Sequence, residues 1–222
     1  DIPHVTVTDH LIRVQPTEAE RQLPSGFSHL QSIISAKTDP AIKALGYLSF
    51  YEKFTENKAF LDSASLFLRL NTKHPLKAFE ATIWLNFIKG NYHQNTKLVL
   101  NKANQKIKDA WTAYRLAASF DAIKKFEKAA FYYGQAVELQ QFNLDFLNKY
   151  GTSLIKINNF GKAKEVLEFL IVENDQHLSG LTNLGFVYLN LGLLNKAAEM
   201  YNKAINLNPD YIPALMNKVG LC

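Results

Sequence analysis

Leu178-Ser179-Gly180-Leu181-Thr182-Asn183-Leu184-Gly185-Phe186-Val187-Tyr188, followed by Gly192, Ala197, Tyr201, Ala204 and Pro209, is the stretch from which the fold of this 222-residue chain is read. Its apolar residues recur three and four apart, the period of an amphipathic helix. Pro209 ends the second apolar run because proline cannot continue a helix. The same residue types return 34 positions apart: Ala129, Ala163 and Ala197; Tyr133, Leu167 and Tyr201; Phe120, Leu154 and Tyr188; Phe126, Phe160 and Leu194; Gly151 and Gly185. The columns stay in register, with no gap, over 110–143, 144–177 and 178–211. A fixed period of this size means a stacked array of one repeating unit.

Leu181-x2-Leu184-Gly185-x2-Tyr188, then Ala197, Tyr201, Ala204 and Pro209, resembles the tetratricopeptide (TPR) pattern W-x2-L-G-x2-Y…A-x3-F…P, with Leu181 in place of the tryptophan. The columns have a physical reason. Glycine or alanine is needed where the two helices of a repeat cross closely, and the aromatics fill the gap to the next repeat. The resemblance implies an all-α solenoid of helix-turn-helix units wound as a right-handed superhelix.

Upstream the pattern decays. In 76–109, Gly90-Asn91-Tyr92 reads as an inter-helix turn, but Asn95 occupies a position where alanine is expected. In 39–75, Thr38-Asp39-Pro40 reads as a helix cap with proline at the first helical position. Apolar spacing then continues through Ala41–Phe54 and Ala59–Leu70, and Pro75 is expected to close the second helix. The reading is therefore an irregular segment over 1–37, two degenerate repeats over 38–109, and three regular repeats plus the start of another over 110–222. Helices are expected throughout 38–220. Residues 212–222 lack a second helix, so the apolar face of the first is expected to be exposed or covered from elsewhere. The chain begins without methionine and stops inside a repeat, which suggests a segment of a longer protein.

An apolar fraction of 47% and a charged fraction of 20% suit a soluble folded chain. No apolar run approaches the roughly 20 residues that span a bilayer. One cysteine, Cys222, excludes an internal disulfide and a CxxC zinc site. The net charge of +5 is uneven: residues 73–108 carry seven lysines against Glu80, a net of +6. Those lysines are irregularly spaced and lack interleaved aromatics, which favours a solvated helix face over a nucleic-acid surface.

Residues 1–24 have no helical period, and Pro3, Pro16 and Pro24 punctuate an extended stretch around Val5 and Val7. His4 and His10 are either surface histidines of an irregular cap or ligands. The stretch Ile2-Pro3-His4-Val5-Thr6-Val7-Thr8-Asp9-His10-Leu11-Ile12-Arg13, with Ala44-Leu45-Gly46-Tyr47-Leu48 and Tyr51-Glu52-Lys53-Phe54 further on, resembles the C-terminal part of bacterial multihaem c-type cytochromes that carry a tetratricopeptide array. That resemblance spans residues 1–70. It implies a periplasmic or extracellular protein with an upstream haem domain in the same chain. It also implies heme c as cofactor, with His4 or His10 as a distal iron ligand, and an array that docks a protein partner for electron transfer. The chain itself has no CxxCH, so any haem would be attached outside these residues.

His29, His74, His93 and His177 are scattered, and neither a paired-carboxylate, HExxH or Ser-His-Asp arrangement nor a phosphate-binding loop is present. Catalytic residues are therefore not expected in this segment. The surface with a mechanism is the groove that the first helices of such repeats line. One column there is Arg115, Lys149, Asn183 and Asn217, and a parallel one is Tyr114, Asn148, Thr182 and Met216, with Lys156, Asn190 and Phe186 alongside. Asparagine amides can clamp a peptide backbone, and Arg or Lys can hold a carboxylate. The expected partner-binding residues are Tyr114, Arg115, Asn148, Lys149, Asn183, Phe186, Asn190 and Asn217. Two readings result: a docking scaffold of a cytochrome, or a haem-free adaptor that binds a peptide or protein segment in this groove.

Overall fold

The computed structural model describes residues 12–13, 31–32, 38–54, 56–100 and 106–220. Two-residue strands β1 (Ile12–Arg13) and β2 (Gln31–Ser32) pair antiparallel, Ile12 opposite Ser32 and Arg13 opposite Gln31. The extended stretch expected around Val5 and Val7 lies outside the described residues. All other described elements are helical, and they divide into two compact units that separate at Lys89 and Gly90.

The first unit holds α1 (Pro40–Phe54), α2 (Lys58–Phe67) and α3 (Pro75–Ile88). Asp39 opens α1 by accepting a hydrogen bond from the Ala41 amide at 2.8 Å. The same carboxylate accepts from the Thr72 hydroxyl and from the Lys73 amide, so it also ties the start of α1 to the approach of α3. Burial works to raise the Asp39 pKa, but these hydrogen bonds outweigh it and hold the carboxyl below its ordinary value. Pro75 does not close the second helix, which ends at Phe67. It is the first residue of α3, where the missing N–H costs nothing and the fixed φ suits a helix start. Ala44, Tyr47, Leu48, Phe60, Leu61, Ala64, Ala81 and Leu85 form the core of this unit.

The second unit holds α4 (Tyr92–Leu100), α5 (Ala110–Ala122), α6 (Phe126–Leu139), α7 (Leu144–Lys156), α8 (Phe160–Glu173), α9 (Leu178–Asn190), α10 (Leu194–Leu207) and α11 (Ile212–Val219). The first helices start at 110, 144, 178 and 212, the period read from the columns. Their N-caps are 34 residues apart as well. Asp109 accepts from the Thr112 amide at 2.7 Å, Asn143 from Phe146 at 3.2 Å, and the His177 Nδ1 from Gly180 at 2.9 Å. Asn95, out of place in the alanine column, is fully buried and donates from Nδ2 to the Ser119 hydroxyl at 3.1 Å. A local polar pair thus replaces the small apolar contact.

The turns repeat too. Gly90, Lys124, Asn158 and Gly192 all have positive φ, 70°, 59°, 57° and 74°, and stand 34 apart. In the three later turns the next residue's amide reaches back to a carbonyl five residues earlier: Lys125 to Phe120, Asn159 to Leu154 and Leu193 to Tyr188, at 2.9, 2.9 and 2.8 Å. This is a Schellman closure, which requires the left-handed conformation. Glycine adopts it without cost and asparagine readily, but a lysine loses roughly 1–2 kcal/mol there. Lys124→Gly is expected to raise the unfolding free energy by about 1 kcal/mol, and Asn158→Gly by less. Urea unfolding checks this. A destabilised Lys124→Gly protein would show that the lysine side chain contributes more than its backbone costs.

Candidate interaction site

The first helices α7 and α9 lie side by side, as do α9 and α11. Across the α7–α9 seam runs a polar ladder. Asn148 donates from Nδ2 to the Ser179 hydroxyl at 2.9 Å. Asn183 donates from its Nδ2 to Asn148 Oδ1 at 3.0 Å and to Thr152 Oγ1 at 3.1 Å. The Thr152 hydroxyl in turn donates to the Asn148 carbonyl at 2.8 Å. Both amide hydrogens of Asn183 are thereby engaged. Its Oδ1 has no hydrogen bond to the described residues and remains an unused acceptor on a half-buried residue. Beside the ladder, Lys149 is exposed and has no ion pair among the described residues, and Phe186 is half-buried.

At the α5 end the face is aromatic. Tyr114 stacks on Phe146 with ring centres 5.0 Å apart, and Trp111 meets Phe146 edge-on at 4.9 Å. Tyr114 also meets Tyr133 edge-on at 5.5 Å. Phe146 is fully buried while Trp111 is 43% exposed, so this cluster is core on one side and surface on the other. Burial, with the Asp145 carboxylate nearby, raises the Tyr114 pKa, and burial alone pushes Tyr201 up to about 12. These phenols stay protonated at physiological pH.

Besides Tyr114, which packs in the aromatic cluster, the partner-binding residues read from the sequence separate into three kinds. Asn148 and Asn183 come together at the α7–α9 seam, with Lys149 next to Asn148 in sequence and Phe186 one turn beyond Asn183 on α9. Arg115 does not present its charge: it is only 7% exposed, with its guanidinium 5.5 Å from the centre of the Trp111 ring. Its neighbours Ala113, Leu116 and Ala117 are buried, and the helix turns it toward the same packed side. Asn190 is exposed, and its Nδ2 is taken by the Phe186 carbonyl at 2.8 Å, while Asn217 is half-buried on α11. Lys156, read as an inner partner of Asn190, instead holds both carboxylate oxygens of Asp121, at 2.6 and 2.8 Å, and so bridges α7 to α5. Thr152 and Ser179 are ladder members that the columns did not single out. Each sits four residues from a named position on its own helix, Thr152 from Asn148 and Ser179 from Asn183, and only the lateral contact of two helices identifies them.

His4 and His10 lie outside the described residues. Among the described residues no three His, Cys, Asp or Glu side chains come together as a metal site, and no helix is long and apolar enough to cross a membrane. On α11 the side chains of Ile212, Met216 and Val219 are exposed.

A family model, the tetratricopeptide repeat, matches residues 179–211. The fold is that of a tetratricopeptide-repeat array. BBSome complex member BBS4 of Bos taurus is 27% identical over 134 residues, and that of Mus musculus 26% over the same length. The matched stretch is 60% of this chain and 25% of each relative, so the chain spans about a quarter of the length of these curated relatives. Among solved structures, YrrB, a TPR protein with an unusual peptide-binding site, superposes with a TM-score of 0.65 at 20% identity, over 80% of this chain and 91% of YrrB. MamA from Desulfovibrio magneticus RS-1 gives 0.57 at 18% identity, over 66% of this chain and 82% of MamA. The family match and the YrrB likeness are to TPR repeats, and none of these similarities points to a cytochrome.

Proposed function

We propose that this TPR array is a haem-free adaptor whose first-helix face, centred on the α7–α9 seam, binds an extended segment of a partner protein. One observation carries the reading. The ladder of Asn148, Thr152, Ser179 and Asn183 uses the donors of Asn183 internally and leaves its Oδ1 fixed as an acceptor. A preorganised acceptor beside an exposed lysine and a half-buried phenylalanine suits a peptide backbone: its N–H donates to Asn183, a carboxylate or carbonyl meets Lys149, and an apolar side chain rests on Phe186. Holding that geometry before binding lowers the ordering cost of association. The peptide-binding site of YrrB and the membership of BBS4 in a complex are consistent with such a role.

The cytochrome reading rests on the wording of residues 1–70. Its ligands, His4 and His10, are outside the described residues, and its anchoring motif is outside the chain. The adaptor reading needs neither, and for that reason it leads.

A displayed random-peptide library selected on the protein tests the proposal. The selected peptides are expected to lose affinity by about 10-fold or more against Asn183→Ala and against Lys149→Glu, the size of effect typical of a central contact. If the peptides bind both variants as tightly as the parent, the binding face is elsewhere.

A further inference from the structure

The second helices carry an apolar patch that the repeat does not require. Leu139 at the end of α6, Phe142 in the turn after it, and Phe169 and Val172 on α8 are 41%, 68%, 37% and 79% exposed. The patch is contiguous. The Phe142 and Phe169 rings are 6.0 Å apart, Val172 is one turn beyond Phe169, and Leu139 and Phe142 line one shallow cleft of about 430 Å³ with Glu138. At three of the four positions the residues one or two periods away show that packing does not demand apolar side chains; Leu139, which corresponds to Glu173 and Leu207, is the exception. Phe142 corresponds to Gln176 and Asp210, Phe169 to Gln135 and Lys203, and Val172 to Glu138 and Asn206. Exposed apolar groups that cluster where the repeat is otherwise polar mark an interaction surface.

Charge indicates the partner. In a chain with 25 Lys and Arg, the stretches that bear the patch, 134–148 and 165–178, contain none. They contain Glu138, Asp145, Glu165, Glu168, Glu173 and Asp175. Glu165 is satisfied by Lys162, Glu168 accepts from the Tyr188 hydroxyl, and Asp175 meets Lys203 on α10. Glu138 and Glu173, exposed and adjacent in sequence to Leu139 and Val172, have no ion pair among the described residues. The apolar patch is thus rimmed by negative charge on a protein whose net charge is +5. A cationic ligand is repelled by the molecule as a whole, so its binding would have to be local. From this we infer that the second-helix patch of Leu139, Phe142, Phe169 and Val172 docks a basic amphipathic helix of a partner protein. The apolar stripe of that helix covers the two phenylalanines, and its lysines or arginines meet Glu138 and Glu173.

The test uses the whole chain and two designed helical peptides, one of Leu and Lys and one of Leu and Glu, with leucines at the same three-and-four spacing. Fluorescence anisotropy is expected to show binding of the Leu/Lys peptide that weakens with added salt. Phe142→Ala and Glu138→Lys should each reduce affinity by about 10-fold or more. Lys149→Glu, on the first-helix face, should leave it unchanged, which separates this surface from the one proposed above. Both patch positions are exposed, and thermal melts confirm that the variants fold. Three results overturn the inference. The Leu/Lys peptide binds no better than the Leu/Glu peptide, its affinity ignores both patch substitutions, or sedimentation shows a dimer that Phe142→Ala dissociates, which would make a second copy the occupant.

Discussion

Gly185→Leu is expected to lower the melting temperature by roughly 2–12 °C, the loss of about 1–3 kcal/mol that overpacking costs in an array of this length. Gly185 is buried on α9 where it crosses α10. A Cβ built there would stand 2.5 Å from Tyr201 Cε1 and 2.8 Å from Cδ1. Tyr201 is fully buried, so its ring has no space into which to withdraw. Replacing glycine in a helix ordinarily gains up to about 1 kcal/mol of propensity, and here the contact outweighs that gain. Gly161, with nothing within 4 Å of its Cβ position, is the control: Gly161→Ala should lose no stability. A second variant makes the geometry itself the test. Tyr201→Val in the Gly185→Leu background should recover part of the loss, because the two changes share one space and are not additive. Far-UV circular dichroism melts read all of these. An unchanged melt for Gly185→Leu, or no recovery in the double variant, would mean that the helices do not cross at this glycine.

Phe146→Ala is expected to be the most damaging single truncation in the second unit, at about 3–5 kcal/mol. The ring is fully buried and joins two repeats: it belongs to α7, while its partners Trp111 and Tyr114 belong to α5. Stability in a repeat array is the sum of each unit and its interfaces, so the loss falls at one junction and should separate residues before α7 from those after it. Urea unfolding that remains a single transition, less than 1 kcal/mol from the parent on the scale of the estimate above, would rule this out. Trp111 and Tyr114 also flank the first-helix face, so the substitution should alter Trp111 fluorescence and weaken peptide binding there, whereas Phe142→Ala should do neither.

Much of the fold was legible in the columns. A 34-residue period needs only that each unit pack against an identical neighbour, and that condition constrains Ala163 and Ala197, Gly151 and Gly185, Leu167 and Tyr201 one by one. The starts of the four later first helices followed from it, as did the small residue at the crossing. The left-handed turn was half visible. Gly90 and Gly192 announce it and Asn158 permits it, but Lys124 occupies the same conformation with a residue type that does not betray it. The upstream exceptions were also half visible. Asn95 stood out in an alanine column, and only its bond to Ser119, 24 residues on, explains why a polar group is tolerated there.

The candidate site was legible as a set of positions on helices and illegible as chemistry. Spacing placed Arg115, Lys149 and Asn183 in one column, yet the structure buries Arg115 over Trp111, exposes Lys149, and commits the Asn183 amide to its neighbours. Periodicity reports which face of a helix a residue is on. It does not report how deep the next helix lies against that face, nor which side chains of the two helices satisfy one another. By itself the sequence determined a helical repeat and its register. Tertiary structure decided which polar groups are spent inside the ladder and which remain to bind, because hydrogen bonds across α7 and α9 depend on distances between helices that no single helix contains.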